Sequence, residues 1–179
     1  PDPERGGQLV FSAGSVCFPN RWDLRSKIGL PLADVHAPVA RLNEQLAAPI
    51  DRFFERLTPQ RSFWRLGWGI LETADWYTPL DGTGTDRPAD PAPDHHFLRV
   101  ERETLRRFPR TGCVLFTIRT YVTPIPVLAG RPDAARRLAE LVATMPDDVA
   151  DYKGLGDAAA GIVDFLRRQS RNSAEVDIH

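Results

Sequence analysis

Residues 98–121 read LRVERETLRRFPRTGCVLFTIRTY, and they predict the centre of the fold as two β-strands joined by a short turn. Pro109 and Gly112 supply the turn, and the flanking runs carry the β-branched and aromatic side chains that strands favour. Charged residues nevertheless interrupt the expected alternation: Arg99, Glu101, Arg102, Glu103, Arg106, Arg107 and Arg119. Because burying an unpaired charge costs several kcal/mol, such charges on a covered sheet indicate a functional site.

The segments on either side predict more strands and helices. Strands are expected at about 8–18, 62–73, 97–108 and 112–123, and helices at about 42–57, 131–145 and 150–168. Pro49 falls inside the first helix and predicts a kink or two abutting helices. Residues 79–94 are rich in proline and aspartate and predict a loop. This order of elements predicts an α+β fold, an antiparallel sheet with helices against one face.

Composition narrows the class of protein. The chain has 179 residues, 42% of them hydrophobic, and a net charge of −1, which suits one domain with appended helices and predicts binding to neither nucleic acid nor membrane. Cys17 and Cys113 are too few for a disulfide framework, so a reduced, cytoplasmic setting is predicted. The chain starts at Pro1 without an initiator methionine, and we expect a preceding N-terminal segment.

Several families of enzyme are disfavoured by missing motifs. The sequence contains no His-Glu-x-x-His, no Cys-x-x-Cys, no phosphate-binding glycine run and no Gly-x-Ser-x-Gly. A zinc site, a kinase, a dinucleotide-binding domain or a serine hydrolase would each need one of these motifs.

The remaining candidates each have a structural alternative. His36 precedes the first long helix and is either an iron or metal ligand or a hydrogen-bonded structural histidine. Glu101 and Arg119 meet within reach of Tyr121 if the polar faces of their strands coincide; otherwise they belong to a salt-bridge lattice on a wet sheet. Trp68 lines a flat cofactor or is part of the core.

Four segments, taken together, resemble the catalytic α-subunit family of haem-dependent oxidative N-demethylases. They are residues 16–22 with 27–29, residues 35–39, residues 99–107 and residues 116–121, which read VCFPNRW with KIG, VHAPV, RVERETLRR and FTIRTY. The resemblance covers roughly residues 8–168 of the chain.

The resemblance implies a fold and an activity. It implies a PAS-type domain with a five-stranded antiparallel sheet, which we expect at residues 1–130. The pattern of the residues themselves predicts a helical extension at 131–169 and a frayed tail at 170–179. The resemblance also implies oxidation of a small methylated amine by dioxygen, with release of formaldehyde. Electrons would come from NADPH through partner subunits that carry FMN and a [2Fe–2S] cluster.

The resemblance also assigns roles to residues. His36 is expected to bind the iron of haem b, with Arg102 and Trp68 as further cofactor contacts. Glu101 is expected to bind the protonated amine, and Arg119 and Tyr121 to support the dioxygen site.

The chain departs from the family pattern at three positions, and alternatives to an enzyme stay open. Ala40 replaces a proline, Gly67 an asparagine and Glu103 a glutamine. The resemblance implies dimethylamine as the substrate, but changes at Gly67 and Glu103 would alter the pocket, so the amine need not be dimethylamine. A haem-binding gas or redox sensor without turnover is the second reading, and a domain without haem is the third. The identity of the amine and of the electron donor stays open, and a homo-oligomer is one arrangement that the sequence allows.

Overall fold

The computed structural model describes residues 8–37, 42–79 and 92–172. Its helices are α1 Leu32–Val35, α2 Leu42–Arg56, α3 Pro132–Ala143, α4 Asp147–Tyr152 and α5 Ala158–Asn172, and its strands are β1 Ser62–Leu71, β2 Phe97–Arg107 and β3 Val114–Pro124. Short 3-10 helices lie at Leu24–Ser26, Pro93–His95 and Ile125–Gly130. None of the helices in these ranges is long and apolar enough to cross a lipid bilayer.

The central hairpin predicted from residues 98–121 is confirmed, and its register is defined at both ends. The N–H of Phe108 donates to the carbonyl of Cys113 at 2.8 Å, and the N–H of Ile125 donates to the carbonyl of His96 at 2.9 Å. The same number of residues separates these bonds on each strand, so the pairing runs through without a net insertion. The sheet is antiparallel with the order β1-β2-β3.

The α+β class is therefore confirmed, but the five-stranded PAS-like sheet is wrong, because the described residues form a three-stranded sheet. The strand predicted at 8–18 is reduced to isolated pairing, such as the bridge between Val10 and Pro31. Its partner segment contains Gly29, whose φ is +81°, and Pro31, which has no N–H to donate. A ladder cannot extend through these residues.

Two compact units divide the chain, and they are described separately. The first contains the described residues of Pro1–Gly67, Trp76–Thr85 and Glu101–Thr120. The second contains those of Trp68–Asp75, Asp86–Val100 and Tyr121–His179.

In the first unit, Arg107 links the hairpin to the end of α2. Its guanidinium donates to the carbonyls of Phe54, Leu57 and Gly112 at 2.6, 2.7 and 2.8 Å. Because the last carbonyls of a helix lack partners within it, a cation there satisfies them and complements the helix dipole. The helix predicted at 42–57 is confirmed as α2, with Pro49 inside it.

In the second unit, helices α3 and α5 pack together over a hydrophobic core. Its fully buried members include Ile70, Ile125, Ala135, Ile162 and Leu166. Pro132 begins α3 as predicted, and Gly154 and Gly156 take positive φ between α4 and α5. These glycines explain why the segment predicted at 150–168 is divided. Helix α5 extends to Asn172, into the predicted tail. Residues 80–91 of the loop predicted at 79–94, and the rest of the tail, lie outside the described residues.

Candidate functional site

His36 directly follows α1 and is half-buried. Burial lowers the pKa of its imidazole, the charge of Arg65 lowers it further, and a hydrogen bond to the Leu32 backbone and the charge of Glu103 oppose these effects. Since that hydrogen bond raises the pKa, the ring must be the donor and the Leu32 carbonyl the acceptor. The imidazole is therefore neutral near pH 7, and its second ring nitrogen carries a lone pair.

The loop around His36 is fixed by Lys27. The ammonium group of Lys27 donates to the carbonyl of Val35, the last residue of α1, at 3.0 Å. Its positive charge also lowers the pKa of His36. His36 thus follows a short helix whose last carbonyl, that of Val35, accepts a hydrogen bond from the Lys27 side chain.

Glu103 on β2 is the acidic residue whose charge acts on His36. Its carboxylate Oε2 accepts a hydrogen bond from Nε of Arg65 on β1 in a close ion pair. The Glu103 side chain is 12% exposed, whereas that of Arg65 is 70% exposed. A largely buried carboxylate is therefore held by a guanidinium that reaches solvent.

Gly67 lies beside this ion pair on β1. A Cβ atom built at Gly67 would stand 3.1 Å from Oε1 of Glu103 and 3.9 Å from Cβ of Glu101. Gly67, Glu101 and Glu103 therefore share one face of the sheet. We call it the His36 face because the charge of Glu103, which lies there, acts on His36. Gly67 and Glu103 are therefore neighbours across β1 and β2.

The register of the hairpin argues against the predicted meeting of Glu101 and Arg119. In the hairpin register, Glu101 lies opposite Thr120, and Arg119 lies opposite Arg102. Since side chains alternate between faces along a strand, Arg119 and Tyr121 point to the face opposite Glu101. Tyr121 is 41% exposed.

Arg102 and Trp68, predicted to contact the cofactor, have partners in the sheet and the helices. The guanidinium carbon of Arg102 lies 5.2 Å from the centre of the Trp64 ring. In the second unit, Nζ of Lys153 lies 4.7 Å from the centre of the Trp68 ring and donates to the Trp68 carbonyl at 2.6 Å. Trp68 also packs against the hydrophobic core, which favours the core alternative for this residue.

Two concave surfaces have linings that do not include His36. They have volumes of about 530 and 480 Å³, and both are lined by residues of the second unit. Among the described residues, no group of three or more His, Cys, Asp or Glu side chains could hold a metal ion. Cys17 and Cys113 are exposed.

Sequence reasoning did not place Arg65 or Lys27 near His36, or Gly67 beside Glu103. These contacts join segments that are distant in sequence, and periodicity reports only which residues share a face of one element. One signal was present. Arg65 is the one cation in a strand rich in aromatic residues. Glu101 and Glu103, two residues apart, share one side of another strand and offer carboxylates with which it could pair.

A comparison with family models supplies the identity. Residues 1–162 match the model described as "Haem-dependent oxidative N-demethylase, alpha subunit-like". This description names dependence on haem, an oxidative demethylation and a subunit of a larger enzyme. The match covers most of the chain, which therefore belongs to the haem-dependent oxidative N-demethylase, alpha subunit-like family.

Proposed function

We propose that this chain is the haem-binding subunit of an enzyme that removes a methyl group from a small methylated amine. In the overall reaction, dioxygen, two electrons and two protons convert the N-methyl group to formaldehyde, and the second oxygen atom leaves as water. The observation that carries the proposal is the neutral, half-buried imidazole of His36 beside the Glu103–Arg65 pair, on the sheet face that also holds Glu101.

The donor set suits haem better than a bare metal ion. A bare ion needs several protein ligands, whereas the iron of haem takes its equatorial nitrogens from the porphyrin and needs only one imidazole from the protein. Ligating histidines usually donate their other ring N–H to a backbone carbonyl or a carboxylate. His36 does so toward Leu32.

His36 would hold the iron through its second ring nitrogen, and the haem would supply the activation of dioxygen. Glu101 would hold the protonated amine by a charge-assisted hydrogen bond, which orients the N-methyl group. Arg119 and Tyr121 are outside this site, because they lie on the other face of β3.

The electrons would come from other subunits. A small reductase that carries FMN and a [2Fe–2S] cluster, fed by NADPH, supplies them one at a time and suits an oxidative demethylation. The alpha-subunit description of the family supports such a partner.

Formaldehyde release tests the proposal. The chain, reconstituted with haemin and given a chemical or enzymatic reductant, should release formaldehyde from methylated amines in air and none without oxygen. We expect Glu101→Gln to keep the haem spectrum and to lose about 10²-fold or more in kcat/KM, since it removes the charge that orients the amine. A chain that binds haem but releases no formaldehyde from any methylated amine would instead be a sensor.

A further inference from the structure

The carboxylate of Glu103 is bound on one side only. Oε2 is paired with Arg65, and within the part of the chain that the structure describes, Oε1 has no hydrogen-bond partner. A carboxylate can accept several hydrogen bonds, and a largely buried one gains from each. Oε1 is thus an acceptor in a sheltered position that can take a further N–H donor.

The space beside Oε1 depends on Gly67. A side chain as small as a methyl group at this position would approach Oε1 to 3.1 Å, closer than nine in ten Cβ contacts in proteins, so the carboxylate would have to shift by a few tenths of an ångström. Any larger residue would have to displace the carboxylate or occupy the space itself. Glycine therefore keeps one side of the carboxylate open on the His36 face.

The charges on this face favour a cation. Glu101 shares the face with Glu103. The ammonium group of Lys27 is held on the Val35 carbonyl. A small ammonium ion at Oε1 would lie next to the Glu103 carboxylate, with the Glu101 carboxylate on the same face and the Arg65 guanidinium paired with the other oxygen of Glu103.

We propose that Glu103 and Gly67 form a subsite that selects the cationic substrate. Oε1 of Glu103 accepts a hydrogen bond from an N–H of the ammonium ion, and Gly67, which has no side chain, leaves space for that ion beside Oε1. This inference rests on the proposed function, from which it takes the substrate. It extends that function by naming Glu103 as a second carboxylate that binds the amine and by setting a limit on the size of the amine. The subsite takes ammonium ions that carry at least one N–H, and it discriminates against quaternary ammonium ions and against bulky substituents.

Binding calorimetry tests the subsite without requiring turnover. Dimethylammonium and tetramethylammonium chloride are titrated into the chain with and without haemin. We expect dimethylammonium to bind at least about tenfold more tightly than tetramethylammonium, the effect of one charge-assisted hydrogen bond. Glu103→Gln should weaken dimethylammonium binding and reduce that preference, because the amide is similar in shape but lacks the negative charge.

Gly67→Ala has a matched control in Gly69→Ala. A Cβ at Gly69 meets nothing within 4 Å, although Gly69 shares the side of β1 with Gly67. We expect Gly67→Ala to weaken dimethylammonium binding about fivefold or more through the displaced acceptor, and Gly69→Ala to leave it unchanged. Circular dichroism of all three variants confirms that they fold.

The outcomes separate this inference from the proposed function. Equal affinity of wild type and Glu103→Gln for dimethylammonium would overturn the subsite, and so would equal effects of the two alanine variants. Binding that depends on Glu103 and Gly67, in a chain that releases no formaldehyde, would support the subsite and reject the demethylase. If the chain releases formaldehyde and neither Glu103→Gln nor Gly67→Ala changes the KM for the amine, the demethylase is supported and the subsite is rejected.

Discussion

Four neighbours act on the pKa of the His36 imidazole, with opposing signs. Burial favours the neutral ring, Arg65 and Lys27 act in the same direction, and Glu103 and the Leu32 carbonyl act against them. The result is a pKa below the ordinary value of about 6.5. A histidine that stays neutral in the folded protein can offer a lone pair to iron at a pH where exposed histidines begin to protonate.

This lowered pKa predicts a pH dependence of stability in the haem-free chain. A group whose pKa is lower in the folded state contributes stability above its unfolded pKa, and that stability is lost as the pH falls through its folded pKa. We expect the free energy of unfolding to decrease as the pH falls below about 6.5, and His36→Gln to remove part of this decrease. Urea denaturation at about pH 5 and pH 8 measures it. Parallel pH dependences of wild type and variant would contradict the assignment.

At the scale of single elements, the hairpin shows what a sequence can and cannot predict. Alternation along β2 correctly places Glu101 and Glu103 together, since the period of a strand is fixed. Whether Arg119 joins them depends on the pairing of β2 with β3, and a shift of one residue would exchange the faces of β3. That pairing is defined by the turn between Phe108 and Cys113, whose geometry a pattern of charges does not report.

The other charged residues of the hairpin also differ in role. Arg107 satisfies carbonyls at the end of α2, whereas its neighbour Arg106 is exposed. We expect Arg107→Ala to lower the free energy of unfolding by about 2 kcal/mol, because buried carbonyls lose their donors.

Arg106→Ala is the matched control, and it should change the free energy of unfolding by less than about 0.5 kcal/mol. Urea denaturation of both variants, followed by circular dichroism, measures the difference. Equal midpoints would show that the three hydrogen bonds of Arg107 contribute nothing to stability.

At the scale of the whole molecule, regular elements were predicted well and the sheet was not. Helices α2, α3 and α5 and strands β1 to β3 follow from hydrophobic periodicity and from Pro132, Gly154 and Gly156. The five-stranded sheet was carried over from a resemblance, and the described residues of the N-terminal segment do not support it, because Gly29 and Pro31 stop the ladder. The position of His36 beside β1 and β2 is a long-range contact that required the structure.

The absorption spectrum of the chain reconstituted with haemin tests most directly whether His36 holds the haem. The wild-type chain should show a Soret band of a histidine-ligated haem, and His36→Ala should lose or shift it. His95→Ala, which changes an exposed histidine outside the proposed site, should keep the wild-type spectrum. A His36→Ala spectrum identical to that of the wild type would contradict the account, and so would a wild-type chain that stays colourless with excess haemin.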